Sequence, residues 1–317
     1  WARAMSCLAA AMQSWELRAI KPSLSGGRRG GSSGAFATQL RAGIPPAALR
    51  LPARSRHHHR CRSAEAETEG AGDDDDAGTR RETKLRELRA RGLQLPTYDD
   101  ADLVAAMAQL RVADGLASGH ADDATMLWFL KACALDVQEA AVKCQVYNEW
   151  RETNSYQDID FASIEQELNT GKAVLLHERD LLGRQVVSVT LTKHVIAERD
   201  LAVTKRLTVF LLDQGLARIH AGAAEGEPET VLTVFDLRGF STANADIEFL
   251  KFFIKCIFTY FPKRVSEVLF IEAPFVFRPV WALVKPLLGK YSSLVRFVSL
   301  DEANEYFPED STVFQRD

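Results

Sequence analysis

The strongest constraint on this fold is a rhythm that sets in after Gly171, where short apolar runs alternate with longer helical patterns. Ala173–Leu176, Gln185–Thr190, Val231–Phe235, Val268–Ile271 and Leu294–Val298 read as strands, rich in β-branched and aromatic residues. Asp200–Ala217, Asp246–Phe261 and Phe277–Leu288 read as the helices between them. Strands joined through helices run parallel and are covered on both faces, which explains why Val268-Leu269-Phe270-Ile271 needs no polar side. The expected architecture is therefore α/β, with a mostly parallel five-stranded sheet. In the helix from Asp246 only Glu248, Lys251, Lys255 and Thr259 form a polar stripe, so that helix should be covered on most sides.

Upstream the pattern is helical. Leu103, Val104, Met107 and Leu110 fall on one helix face behind Asp99 and Asp100, either of which can cap its free N–H groups. Asp122-Asp123 open a second helix with Met126, Leu127, Phe129 and Leu130 on its buried side. Asp136-x-x-Glu139 is a capping-box-like start for a third, continued by Val137, Ala140, Ala141, Cys144 and Tyr147. Residues 81–155 are thus expected to form a small helical bundle, residues 156–300 the α/β domain, and residues 301–317 a C-terminal tail.

A formal charge of −4 conceals two unlike parts. Residues 1–64 hold eleven Lys/Arg and one acid, while residues 65–317 carry a net −14. The first part is rich in Arg, Ala and Ser and lacks the central apolar block of a secretory signal, which is the composition of an organelle transit peptide. A disordered arm that binds an acidic partner is the alternative, and composition does not separate plastid from mitochondrion. Residues 65–80, with Asp73–Asp76, are expected to be a solvated acidic linker. No apolar run reaches the roughly 20 residues of a membrane span. Cys7, Cys61, Cys133, Cys144 and Cys256 show neither disulfide nor zinc spacing, so no metal or other cofactor is expected.

Residues 251–296 stand apart, with eight Lys/Arg, two acids (Glu267 and Glu272) and ten aromatics. Such a stretch could stack nucleic-acid bases, but its aromatics fall on buried helix faces and the net −14 around it repels phosphate, so no nucleic-acid partner is expected. Enzyme signatures are also lacking: there is no Gly-x-Ser-x-Gly elbow, P-loop, His-Glu-x-x-His or dinucleotide fingerprint. The run His177-Glu178-Arg179-Asp180 reads as strand-face and turn residues, and Asp236 and Glu272 at strand ends could pass for a carboxylate pair.

Several short motifs occur in one order: Asp122–Lys131, Leu135-Asp136-Val137, Trp150-Arg151, Gly183-Arg184, Phe235–Phe240, Tyr260–Arg264, and Ala273-Pro274 followed by Trp281 and Lys285-Pro286. Together they resemble the CRAL-TRIO lipid-binding domain with its preceding helical domain, over roughly residues 100–300. The N-terminal segment and the wording at Asp236–Phe240, Asn244–Asp246 and Lys285–Ser292 resemble the chloroplast-targeted members of plants and algae. The resemblance implies a sheet that floors a lipid pocket and a helix after Ala273-Pro274 that closes it as a gate. It implies pocket residues Leu176, Val187, Val231, Thr233, Phe235, Phe253, Ile257, Phe277, Trp281 and Val284. It also implies that Lys263, Arg264, Arg278, Lys285, Lys290 and Arg296 face an anionic membrane surface. Cys133, Lys263 and Val295 stand where the phosphatidylinositol carriers hold their headgroup, and of the choline-lipid contacts only Thr233 remains. The expected ligand is therefore phosphatidic acid, a galactolipid, or an isoprenoid such as a carotenoid, tocopherol or quinone, with phosphoinositide docking on the surface. The expected role is a peripheral carrier in plastid lipid traffic without catalysis, and the alternatives are an isoprenoid carrier and a non-transferring membrane adaptor.

Overall fold

The structure is a computed structural model that describes residues 73–113, 116, 119, 121–221, 228–311, 313 and 314. The segment expected to be a transit peptide lies outside the described residues. Asp73–Arg91, partly expected as linker, is helix α1. Arg89 and Arg91 lie in its last turn, at the negative end of the helix dipole, which favours helix over coil.

The bundle follows as α2 (Asp100–Arg111), α3 (Asp123–Ala132) and α4 (Val137–Thr153). Two of its caps are those read from sequence: Asp122 accepts from the Thr125 amide at 2.8 Å and Asp136 from that of Glu139 at 2.9 Å. Asp99 precedes α2 but makes no side-chain cap. Leu110, Phe129, Leu130, Cys144, Tyr147 and Trp150 form the bundle's core, which continues into Cys256, Tyr260 and Phe261 of the α/β part. Trp150 stacks on Tyr260 with ring centres 3.9 Å apart, and Arg151 clasps Asp213 at 2.8 Å. The two parts consequently share one apolar core.

The short helix α5 (Glu165–Asn169) leads into β1 (Ala173–Leu175) and β2 (Gln185–Thr190). Then come α6 (Leu201–Ala221), β3 (Val231–Asp236), α7 (Ile247–Lys255), a π-helical turn at Cys256–Tyr260, β4 (Val265–Ile271), α8 (Arg278–Leu288), β5 (Val295–Val298) and α9 (Leu300–Asn304). The sheet order is β1-β2-β3-β4-β5, parallel except for β1, which runs antiparallel to β2. β4 begins three residues before the apolar run read from sequence, and its pairing with β3 shifts register between Val231 and Leu232. Ser266 and Glu267 thereby enter the sheet. Glu267 is 0% exposed, with Arg184 at 3.3 Å, while Tyr306 donates its hydroxyl at 2.9 Å. Arg184 also reaches Asp180 at 2.7 Å, so this buried charge cluster is internally paired.

Alternation along the strands gives the sheet two unlike faces. Val186, Leu232, Val234, Leu269 and Ile271 point to a back layer closed by Leu88 of α1 and by Ala303, Tyr306, Phe307 and Phe314. Ala303, Tyr306, Phe307 and Phe314, within the stretch expected as a tail, therefore supply core. Among the other strand-end carboxylates, Asp236 grips Arg238 at 2.6 Å and Glu272 accepts from the Leu300 amide at 3.0 Å.

Candidate binding cavity

The front face of the sheet floors a cavity of about 210 Å³. Val187 and Val189 of β2, Val231, Thr233 and Phe235 of β3, Val268 and Phe270 of β4, and Val295 of β5 form the floor. Leu207 and Leu211 of α6 and Phe249, Phe253 and Ile254 of α7 form one wall, followed by Ile257 of the π-helical turn. Val280, Val284 and Leu288 of α8 form the other, joined by Phe277. The wall is apolar because α7 and α8 each turn a continuous greasy stripe toward the sheet.

Eight of the ten residues expected in the pocket border this cavity: Val187, Val231, Thr233, Phe235, Phe253, Ile257, Phe277 and Val284. Leu176 instead packs into the back layer, because it follows the end of β1. Trp281 does not border the cavity and is half-buried against Phe270 and Phe297, with ring centres 5.8 and 5.1 Å away.

The expected headgroup-facing cations occupy several different places. Arg264 is a correction: it is only 3% exposed, its guanidinium lies 3.5 Å above the Trp128 ring, and its Nη1 donates to the Glu229 carbonyl at 3.0 Å. The bundle helix α3 covers it, so it faces no membrane. Burial pushes its pKa down to about 9. Lys263 lines the cavity from a left-handed backbone position, φ 59°, at the N-terminal ends of the strands. It has no carboxylate partner among the described residues. Arg278, Lys285 and Lys290 are exposed on or beside α8. Arg296 is half-buried, its Nε 3.6 Å from Glu267.

Next to Arg278 is a group that sequence reasoning passed over. Phe275 is 76% exposed with the Arg278 guanidinium 4.6 Å above its ring, and Val276 and Phe297 are exposed as well. The helix was expected to start at Phe277, so Phe275 was given no role; it lies in a short helical turn, Phe275–Phe277, that precedes α8.

A polar cluster closes the far end of the cavity, at the C-terminal ends of the parallel strands. Lys172, His194, Thr204, Asn244 and Asp246 all border it and all are buried. Lys172 Nζ lies 2.9 Å from Glu167 Oε1 and 3.5 Å from His194 Nδ1. An ammonium only donates, so Nδ1 accepts and the ring's Nε2 carries the proton toward Asp246, 3.1 Å away. Burial holds His194 below its ordinary pKa, and the Lys172 charge pushes in the same direction. Burial acts against ionisation of Asp246, yet the Arg199 hydrogen bond, the Phe249 amide and His194 together hold it at about 2. No sequence pattern joins these residues, which come from four separate loops and helix ends. Among the described residues, no group of three or more His, Cys, Asp or Glu side chains is placed to hold a metal ion, and no helix is long and apolar enough to cross a membrane.

Residues 169–312 match the family model of the CRAL/TRIO domain. Phosphatidylinositol transfer protein CSR1 of Eremothecium gossypii is 28% identical over 176 residues, 51% of this chain and 39% of that protein. CRAL-TRIO domain-containing protein C3H8.02 of Schizosaccharomyces pombe is 28% identical over 178 residues, 52% of this chain and 38% of that protein. The chain thus spans about two fifths of the length of these curated relatives. The crystal structure of Sfh5 has a similar fold, with a TM-score of 0.50 at 15% identity over 66% of this chain and 84% of that one.

Proposed function

Residues 169–312 form a CRAL/TRIO domain, and from that premise we propose that this protein takes a membrane lipid into its cavity and carries it between membranes. The observation that carries the reading is the cavity itself: an apolar chamber running the length of the parallel strands, roughly 20 Å for six residues, with the single helix α8 as one wall. A lipid with about thirty methylenes needs roughly 25 kcal/mol to leave a bilayer unaided, at about 0.8 kcal/mol for each. A chamber that replaces water along the chain removes most of that cost. At about 210 Å³ it lies below the roughly 300–1,000 Å³ of ordinary ligand pockets, so a two-chain lipid fits only when α8 swings outward.

Uptake then occurs with α8 against the bilayer. Arg278, Lys285 and Lys290 present cations there, each adding about 1 kcal/mol near an anionic surface, and Phe275 and Val276 supply apolar side chains beside them. The protein works by binding and release, without a chemical step. Phosphatidic acid is the ligand favoured by Lys263, the cavity-lining cation without a carboxylate partner among the described residues. An isoprenoid is the second reading, favoured by the polar cluster at the other end, where every charge is matched. Residues 1–64 would deliver the carrier to the plastid stroma, with the mitochondrion as the other destination. A fluorescent protein fused behind them that stays outside both organelles would remove that part of the reading.

The deciding experiment incubates the 317-residue chain with donor vesicles containing fluorescent phosphatidic acid or a quinone and measures arrival in acceptor vesicles. Transfer that saturates with protein, together with a lipid adduct in the native mass spectrum, is the expected result. Vesicle binding without adduct or transfer would leave a membrane adaptor in its place.

A further inference from the structure

We propose that the Lys172–His194 end of the cavity is a subsite for an uncharged oxygen of the ligand, a hydroxyl or carbonyl, and does not hold a phosphate. This rests on the carrier reading, and it concerns the end of the chamber opposite Lys263.

The charge balance points away from an anion. Glu167 neutralises Lys172 at 2.9 Å, and Arg199 neutralises Asp246 through its Nε. His194 stands between the two pairs as a neutral ring. The cluster sums to zero, so a phosphate brought against it would meet two fixed carboxylates and find no free positive charge. Hydrogen-bonding capacity points toward an acceptor. An ammonium has three donors; at Lys172 the described residues supply two acceptors, Glu167 Oε1 and, at the limit of distance, His194 Nδ1. Lys172 borders the cavity while being itself more than nine-tenths buried, so a ligand oxygen is the natural third partner. The neighbours are already committed. Asn244 Nδ2 donates to the His194 carbonyl at 3.0 Å and its Oδ1 accepts from the Ser241 amide at 2.8 Å, and Thr204 donates to Glu167 or to the Asp200 carbonyl. Midway along the floor, Thr233 offers a further hydroxyl with no protein partner among the described residues. The result is one donor at the end of an apolar tube, a geometry that selects a chain bearing a single neutral oxygen at its tip.

Three probes with one chain and different tips separate the possibilities: hexadecane, 1-hexadecanol and hexadecyl phosphate, each competed against a cavity-bound fluorescent fatty-chain dye on the full chain. Hexadecanol is expected to bind about tenfold or more tighter than hexadecane, the usual yield of a hydrogen bond from a charged donor, with the phosphate no tighter than the alcohol. The double variant Glu167→Gln/Lys172→Met removes both charges together, so neither is left buried alone. It should bring the alcohol-to-alkane ratio below about threefold. If that variant does not fold, the wild-type ratios still decide. Equal binding of alkane and alcohol, or preferred binding of the phosphate, overturns the subsite and leaves the carrier reading standing. Failure of all three probes to displace the dye overturns the carrier reading itself.

Discussion

Replacing Trp128 and Arg264, singly and together, tests the most unusual contact in the molecule. The guanidinium is 3% exposed, rests 3.5 Å above the indole and, among the described residues, has no carboxylate partner and no hydrogen-bond partner for its Nε. A pKa held down to about 9 means that burying the charge costs roughly 5 kcal/mol relative to water. Against this stand a desolvated cation–π contact, about 2 kcal/mol or more, and a charged hydrogen bond to the Glu229 carbonyl of about 1.5–3 kcal/mol. The terms nearly cancel, so Arg264→Met should change stability by no more than about 1–2 kcal/mol in either direction. Trp128→Leu should cost more, about 3–5 kcal/mol, because it strips the ring from a buried cation and also removes the 2.7 Å bond from the indole N–H to the Pro262 carbonyl. In the double variant the cation no longer needs covering, and the coupling energy should be about 2 kcal/mol. Equilibrium urea unfolding gives each corner of the cycle. A coupling below about 0.5 kcal/mol would refute the stacking account. Loss of anionic-vesicle binding by a well-folded Arg264→Met variant would show that this side chain reaches the membrane after all.

Phe275→Asp should weaken cosedimentation with vesicles containing phosphatidic acid about tenfold or more, since it replaces an exposed apolar ring by an anion; unchanged binding would remove α8 from the membrane contact. His194 gives a pH signature: with its folded pKa depressed, the unfolded chain takes up the proton first, so stability should fall as pH drops below about 6.5. His194→Gln, set among Lys172, Glu167 and Asp246, should flatten that fall in urea midpoints between pH 7 and pH 5, and a parallel decline in both proteins would exclude it. Cys133, Cys144 and Cys256 are buried and burial raises all three thiols, Cys144 to about 12, so a disulfide reagent should label them only on unfolding; prompt labelling at neutral pH would contradict the packing.

What could be read from the chain was what short-range pattern encodes. The strands announced themselves through β-branched runs, and the caps Asp122 and Asp136 through their spacing to the helices they start. Long-range pairing was not encoded that way. The strand was read only from Val268, and Val265-Ser266-Glu267 join it with Glu267 met inside the fold by Arg184 and Tyr306. Arg264 looked like a surface cation until α3 brought Trp128 over it. Residues 301–317 were expected as a tail, yet Ala303, Tyr306 and Phe307 join the back layer. The Lys172–His194–Asp246 chain was invisible for the same reason, as its members are adjacent only after the sheet has formed.

The back layer also has a consequence in time. Val186, Leu232, Val234, Leu269 and Ile271 are covered by Ala303, Tyr306, Phe307 and Phe314, which are made after all of them. At about 5–20 residues per second, the ribosome needs roughly 2–9 s to go from Ile271 to Phe314. For that interval a nearly complete sheet shows a largely bare apolar face, with only Leu88 of α1 and Leu176, Leu181 and Leu182 of this layer already made. The nascent chain is therefore most prone to aggregation between the synthesis of Ile271 and that of Phe314, and a chaperone that binds extended apolar surface would matter most in that interval.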